Sequence, residues 1–196
     1  MKTDNFTCEG CGALAPSYQS VHYGSSDGRH RHLCSKCFNA EVAIRSGLEN
    51  FDNIQFKPVD LTDCQGLEHE FHFRTHLLGG IVSLEAFELR NGDPGGYEFQ
   101  IIGNPQEDLF GLLGRLIEKM RRRLAIAHIT DDDRYGLQIA DSTVRGQINS
   151  DQTTIDRTPL IVVDGREISW EQFGQMLMTF EGSQFKLEIL DPSDEA

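Results

Sequence analysis

Two Cys-x-x-Cys pairs, Cys8/Cys11 and Cys34/Cys37, stand 22 residues apart near the start of this chain. No other feature limits the fold so tightly. A two-residue gap lets both thiolates of one knuckle face a single tetrahedral ion at about 2.3 Å, and a hairpin between the knuckles brings the second pair to the same ion. A thioredoxin-like dithiol needs one such pair beside a βαβ pattern, not two around a hairpin. The spacing therefore predicts one structural zinc ion held by Cys8, Cys11, Cys34 and Cys37. Such a site is closed, with no open position for a substrate. Apparent binding energies of about 10–16 kcal/mol compare with about 5–15 kcal/mol for the stability of a whole domain.

Local signals extend this module. Ser17 to Tyr23 and Arg29 to Leu33 read as short strands around the turn "GSSDG", and "FNAEVAIRSG" reads as a helix stopped by Gly47. The helix N-terminus would place its dipole beside Cys34 and Cys37 and favour their thiolates. His32 is not needed as a ligand, because four sulfurs already fill the shell. Gly24-Ser25-Ser26-Asp27-Gly28 matches a nucleophile pattern, but that chemistry needs a strand–turn–helix elbow, and these are ordinary turn residues.

The run "CEGCG…VHY…GRHRHLCSKCFNAEVA" resembles the treble-clef zinc modules at the N-termini of bacterial stress-response adaptors, such as the protein arginine kinase activators, and of Clp-type unfoldases. The resemblance covers about the first 45 residues. It implies a module that mediates dimer or partner contacts. The rest, especially "VDGREISWEQFGQMLMTFEGSQFKLEI", resembles an uncharacterised bacterial domain family without an assigned activity.

Downstream, "LEHEFHFRTHLL", "IVSLEAFELR" and "YEFQIIG" alternate between the turns "GG" and "NGDPGG" and predict an antiparallel meander. Asn104 as N-cap, Pro105 and Glu107 predict a helix with Leu109, Leu112, Leu113, Leu116, Ile117, Met120 and Leu124 on one face. Arg115, Lys119 and Arg121 to Arg123 read as its solvated cationic end. After the charged break "TDDDRYG", "STVRGQIN" predicts a strand and Asp164-Gly165 a tight hairpin turn. Ser169 and Gln172 predict a capping box, Phe173, Met176, Leu177 and Phe180 a helix face, and "FKLEIL" a final strand. The whole is an α+β chain: a treble-clef-like zinc module over 1–47, followed by antiparallel sheet and helix blocks. Residues 48–196 read either as one domain or as two, 48–130 and 131–196.

Net charge is −13, and it is uneven. Residues 1–47 carry five Lys/Arg against four Asp/Glu, residues 48–128 eight against thirteen, and residues 129–196 five against fourteen. An acidic body argues against nucleic acid and anionic membranes. The N-terminus has no apolar leader and no apolar run reaches membrane-spanning length, so a cytoplasmic location is expected. Five cysteines there suit a metal better than a disulfide framework.

Function follows by weighing constellations. On a strand, Glu70, His72, Arg74 and His76 share one face, opposite His69, Phe71, Phe73, Thr75 and Leu77. His72 and His76 would stand about 13 Å apart, too far to grip one metal. The ordinary reading is a solvent-facing polar stripe. The alternative is a small-molecule enzyme or sensor face, with Cys64 nearby as a thiol, although a lone cysteine is more often a small buried hydrophobe. Arg29 to His32, with Lys36 and Arg45, offer a modest basic patch for a phosphate or nucleic acid. Asp131 to Asp133, Asp141 and Asp164 lack EF-hand spacing. No catalytic residue and no cofactor pocket is assigned. The leading expectation is a non-enzymatic, zinc-binding adaptor that docks a protein partner or a second copy of itself.

Overall fold

The computed structural model describes residues 5–24, 30–151 and 158–194. The tip "SSDGR", with the Gly-x-Ser-x-Gly match and Arg29, lies outside the described residues. Among those described, thirteen strands and three α-helices form an α+β chain whose sheets are all antiparallel. No helix among them is long and apolar enough to cross a membrane.

The N-terminal stretch holds two small hairpins, β1 (Asn5–Thr7) with β2 (Leu14–Pro16) and β3 (Ser20–Gly24) with β4 (His30–Cys34), then α1 (Ser35–Arg45). A short 3-10 turn, Ser17–Gln19, replaces the start of the expected strand. Helix α1 begins at Ser35, ahead of Cys37, so the second knuckle is itself the helix start. Leu33, Phe38 and the two buried cysteines, Cys8 and Cys34, make a small core against Phe6, Val21 and Tyr23.

The central sheet runs β5 (Val59–Thr62), β6 (Glu68–Leu78), β7 (Ile81–Arg90) and β8 (Asp93–Gly103) in sequential order. The β7–β8 turn is Asn91-Gly92, both at positive φ (56° and 97°), as a two-residue hairpin turn demands. "DPGG" is therefore not a turn. It belongs to β8, where Gly95 pairs with Glu88 and a bulge opposite the Phe87–Glu88 step takes up Gly96 and Tyr97. One face of this sheet packs on α2 (Leu109–Leu124). The expected apolar face is right, with Leu109, Leu112, Leu116, Met120 and Leu124 buried. The cap is not: Asp108 is the N-cap, its side chain accepting from the Phe110 N–H at 3.0 Å. Asn104 instead closes a separate turn, its side chain accepting from the Gln106 N–H.

The last stretch combines β9 (Ile129–Asp132) and β10 (Gly136–Ile139) with a three-stranded sheet of β11 (Gln147–Ser150), β12 (Pro159–Val163) and β13 (Arg166–Ser169). The charged break is thus a hairpin, whose turn is held by Asp132 accepting from the Arg134 and Tyr135 N–H groups. Asp164 and Gly165 turn at φ 47° and 70°, and Ser169 with Gln172 forms the capping box of α3 (Trp170–Leu177). Ile129, Ile161, Val163, Ile168 and Met176 form the core here. Leu177 is exposed, so the apolar face of α3 is narrower than expected. "FKLEIL" is not a strand. It follows α3 outside every sheet of the described residues, and each of its residues is exposed.

Candidate metal centre

The sequence places the four thiols by simple means. Gly12 at φ 71° turns the first knuckle, its N–H donating to the Cys8 carbonyl at 2.8 Å. Gly10 lies so close to the second knuckle that a Cβ there would stand 3.1 Å from Cys37 Sγ. The β3–β4 hairpin carries Cys34 into the core and makes it the N-cap of α1, with Cys37 in the first turn. The sulfurs of Cys8, Cys11, Cys34 and Cys37 all lie within 4.8 Å of one another. Four thiols at this separation could hold one metal ion.

Their electrostatics point the same way. Burial pushes the Cys8 thiol up, but N–H groups of Cys34, Cys11 and Gly10 outweigh it and bring Cys8 down to about 6. The Cys34 and Gly10 amides donate to its sulfur at 3.2 and 3.4 Å. Burial and the neighbouring thiols raise Cys34 and Cys37 instead. Four thiolates repel each other in a small buried volume, and a divalent cation at their centre inverts that balance. The donor set suits zinc: all sulfur, four ligands, one knuckle backed by a helix N-terminus.

The histidine stripe is not solvent-facing. The His72, Arg74 and His76 side chains are only 16–24% exposed, because the N-terminal module lies on them. His72 Nε2 pairs with Glu70 at 2.7 Å, and Nδ1 meets the Tyr18 hydroxyl at 3.5 Å. Arg74 donates to Glu85 at 2.8 Å through Nε and to the Tyr18 carbonyl at 2.9 Å. His76 packs edge-on against Phe38, and burial lowers its pKa.

The module also closes a sheet edge. Strand β5 pairs with β6 only over Glu68–Phe71, which leaves the outer backbone edge of β6 unpaired beyond that point. There Asn39 of α1, 1% exposed, acts as a substitute strand. Its Nδ2 donates to the Thr75 carbonyl at 2.9 Å, and its Oδ1 accepts from the Leu77 N–H at 2.8 Å. Gln19 Nε2 donates to the Phe73 carbonyl at 3.2 Å. A carboxamide has the donor and acceptor of a peptide group, so one buried side chain satisfies two ladder positions. No sequence signal singles out Asn39.

The basic hairpin is largely engaged. Arg31 pairs with Glu41 of α1, and the His32 ring stacks between Phe6 and His22 at 4.1 and 4.4 Å. Cys64 is exposed, and it lies beside His69 rather than near His72. It lines a cleft of about 180 Å³ with Asp63, His69, Glu88, Tyr97 and Asp164. In this cleft His69 is gripped from both sides, Nδ1 at 2.9 Å from Glu88 and Nε2 at 3.2 Å from Asp63. An imidazole can donate to two carboxylates only when protonated. Burial opposes the charge, but the two carboxylates raise the His69 pKa overall.

Family models match three consecutive stretches, each described as a domain of unknown function: residues 7–49 (DUF7685), 52–125 (DUF7686) and 128–194 (DUF7713). No curated protein and no solved structure matches the chain. The resemblance to the arginine kinase activators gains no support from these descriptions.

Proposed function

We propose that Cys8, Cys11, Cys34 and Cys37 bind one structural zinc ion, and that the chain is a non-enzymatic interaction or adaptor protein of three units, roughly 1–47, 48–130 and 131–196. The observation that carries the metal reading is the convergence of four sulfurs within 4.8 Å on two knuckles and a helix start. The order knuckle, hairpin, helix suits a treble-clef module. A tetrathiolate is closed and supplies folding energy rather than Lewis acidity. The catalytic alternative needed a free His72/His76 face, and both side chains are spent on contacts with the N-terminal module and with Glu70 and Glu85. A nucleic-acid role for the hairpin is weakened by the Arg31–Glu41 pair.

Native mass spectrometry before and after chelation tests this reading. We expect one zinc per chain in the wild type and none in Cys34→Ser. Full metal retention in Cys34→Ser, or a second metal per chain, would overturn it.

A further inference from the structure

The segment Gln184–Leu190, "QFKLEIL", is exposed along its whole length, with Phe185 at 91%, Leu187 at 75% and Ile189 at 69%. No backbone hydrogen bond of these residues is found among the described residues. Yet both ends are tied down. The turn after α3 precedes it, the Ser183 N–H donating to the Phe180 carbonyl at 2.9 Å. Beyond it, Lys119 of α2, 5% exposed, donates to the Pro192 and Asp194 carbonyls at 2.9 and 2.7 Å. A run of β-forming alternation from Gln184 to Ile189, with apolar side chains and peptide groups left to water, lacks a partner strand among the described residues.

We propose that this segment pairs with the same segment of a second copy of the chain, antiparallel and centred on Leu187. The argument is charge complementarity. In that register Lys186 of each copy faces Glu188 of the other, Phe185 faces Ile189, and Leu187 faces itself across the two-fold axis. Centring on Lys186 sets lysine against lysine, and centring on Glu188 sets glutamate against glutamate. A shift of one residue puts apolar side chains opposite polar ones, and a parallel in-register pair stacks like charges. Among these only the Leu187 register opposes unlike charges and keeps Phe185, Leu187 and Ile189 together on one face, with Gln184 against Leu190 at its two ends. Within one chain Lys186 and Glu188 form an ion pair at 3.4 Å, but at 82% and 63% exposure that pair is open to water and free to re-form across two copies. A two-stranded ribbon is marginal by itself, so the association is weak and concentration-dependent.

Sedimentation equilibrium of the full-length, zinc-loaded protein over a range of concentrations provides the test. A monomer–dimer equilibrium is expected in the wild type. Lys186→Glu and Glu188→Lys each turn two attractive pairs repulsive and should weaken dimerisation by about tenfold or more. The double exchange should restore it to within about threefold, and Leu187→Pro should abolish it. At concentrations where all are monomeric, circular dichroism should be unchanged in all four, because among the described residues the segment pairs with no other strand of its own chain. A wild type that stays monomeric up to about 1 mM overturns the proposal. So does a dimer indifferent to the single reversals, or one the double exchange fails to restore; either would place the contact on the zinc module, on another sheet edge or on a different protein.

Discussion

Replacing Asn39 by alanine isolates the device that closes the β6 edge. The substitution removes two donated bonds, to the Thr75 carbonyl and to Asn53 Oδ1, and one accepted bond, and it leaves the Thr75 carbonyl and the Leu77 N–H facing a site shielded by α1. Leu77 itself is fully buried, so water has poor access to replace what is lost. An unsatisfied buried backbone group costs about 1–3 kcal/mol, so two cost about 2–6 kcal/mol, and about 4 is a fair central value. With a urea slope of about 2 kcal/mol per molar, the unfolding midpoint should fall by about 2 M. Amide exchange gives the local readout: the Leu77 N–H should lose protection in Asn39→Ala, while that of Leu84, in the middle of the sheet, is affected only through the global fall. Asn39→Asp should not rescue, because a second oxygen would then face the Thr75 carbonyl. A midpoint shift under about 0.5 M with Leu77 still protected would refute the substitute-strand account.

Two further outcomes follow from groups outside the metal centre. Lys119→Met leaves the carbonyls of Gln100, Pro192 and Asp194 without this donor. It should cost about 1–3 kcal/mol and speed trimming by carboxypeptidase, and an unchanged trimming rate would show that Lys119 does not anchor the C-terminal run. The raised pKa of His69 fixes a sign: its stabilisation is fully present below the unfolded histidine value of about 6.5 and is lost as pH rises through the higher folded value. Urea midpoints from pH 6 upward should therefore fall in the wild type more than in His69→Gln; parallel profiles would mean the imidazolium between Asp63 and Glu88 adds no stability.

What the sequence disclosed was local in origin. The Asp164-Gly165 turn and the Ser169/Gln172 box act within a few residues, the cysteine pairs each share one knuckle, and the structure brings the four cysteines together and places the turn and the box as expected. Where two local signals competed, tertiary packing chose. Asn104 and Asp108 are both good caps, and the helix starts at the second, whose first residue, Leu109, begins the apolar row packed on the sheet. Alternation misled in two opposite ways. It specifies what a strand face needs and not what is available to meet it. The His72 stripe was polar and turned out covered; the Phe185 stripe was apolar and turned out bare. Asn39 was invisible because its partners, Thr75 and Leu77, lie 36 and 38 residues away and are engaged through their backbone.

These contacts reshape what a zinc ion here would accomplish. Cys34 caps α1 and Cys37 sits in its first turn, and Asn39 follows two residues later. Phe38, between them, contacts both Tyr23 of the hairpin and His76 of β6. An ion that fixes Cys34 and Cys37 thereby fixes the two side chains that meet the central sheet. Its folding energy is then not confined to a small N-terminal module but also positions the carboxamide that completes β6. The same geometry limits an adaptor role. One side of α1 and the Ser17–Gln19 turn are committed to the chain's own sheet, so a partner reaching the module meets the knuckle and the hairpin instead. A module that spends one face on holding its neighbour and presents the other is what distinguishes a structural zinc unit built into a larger protein from one hung on a linker.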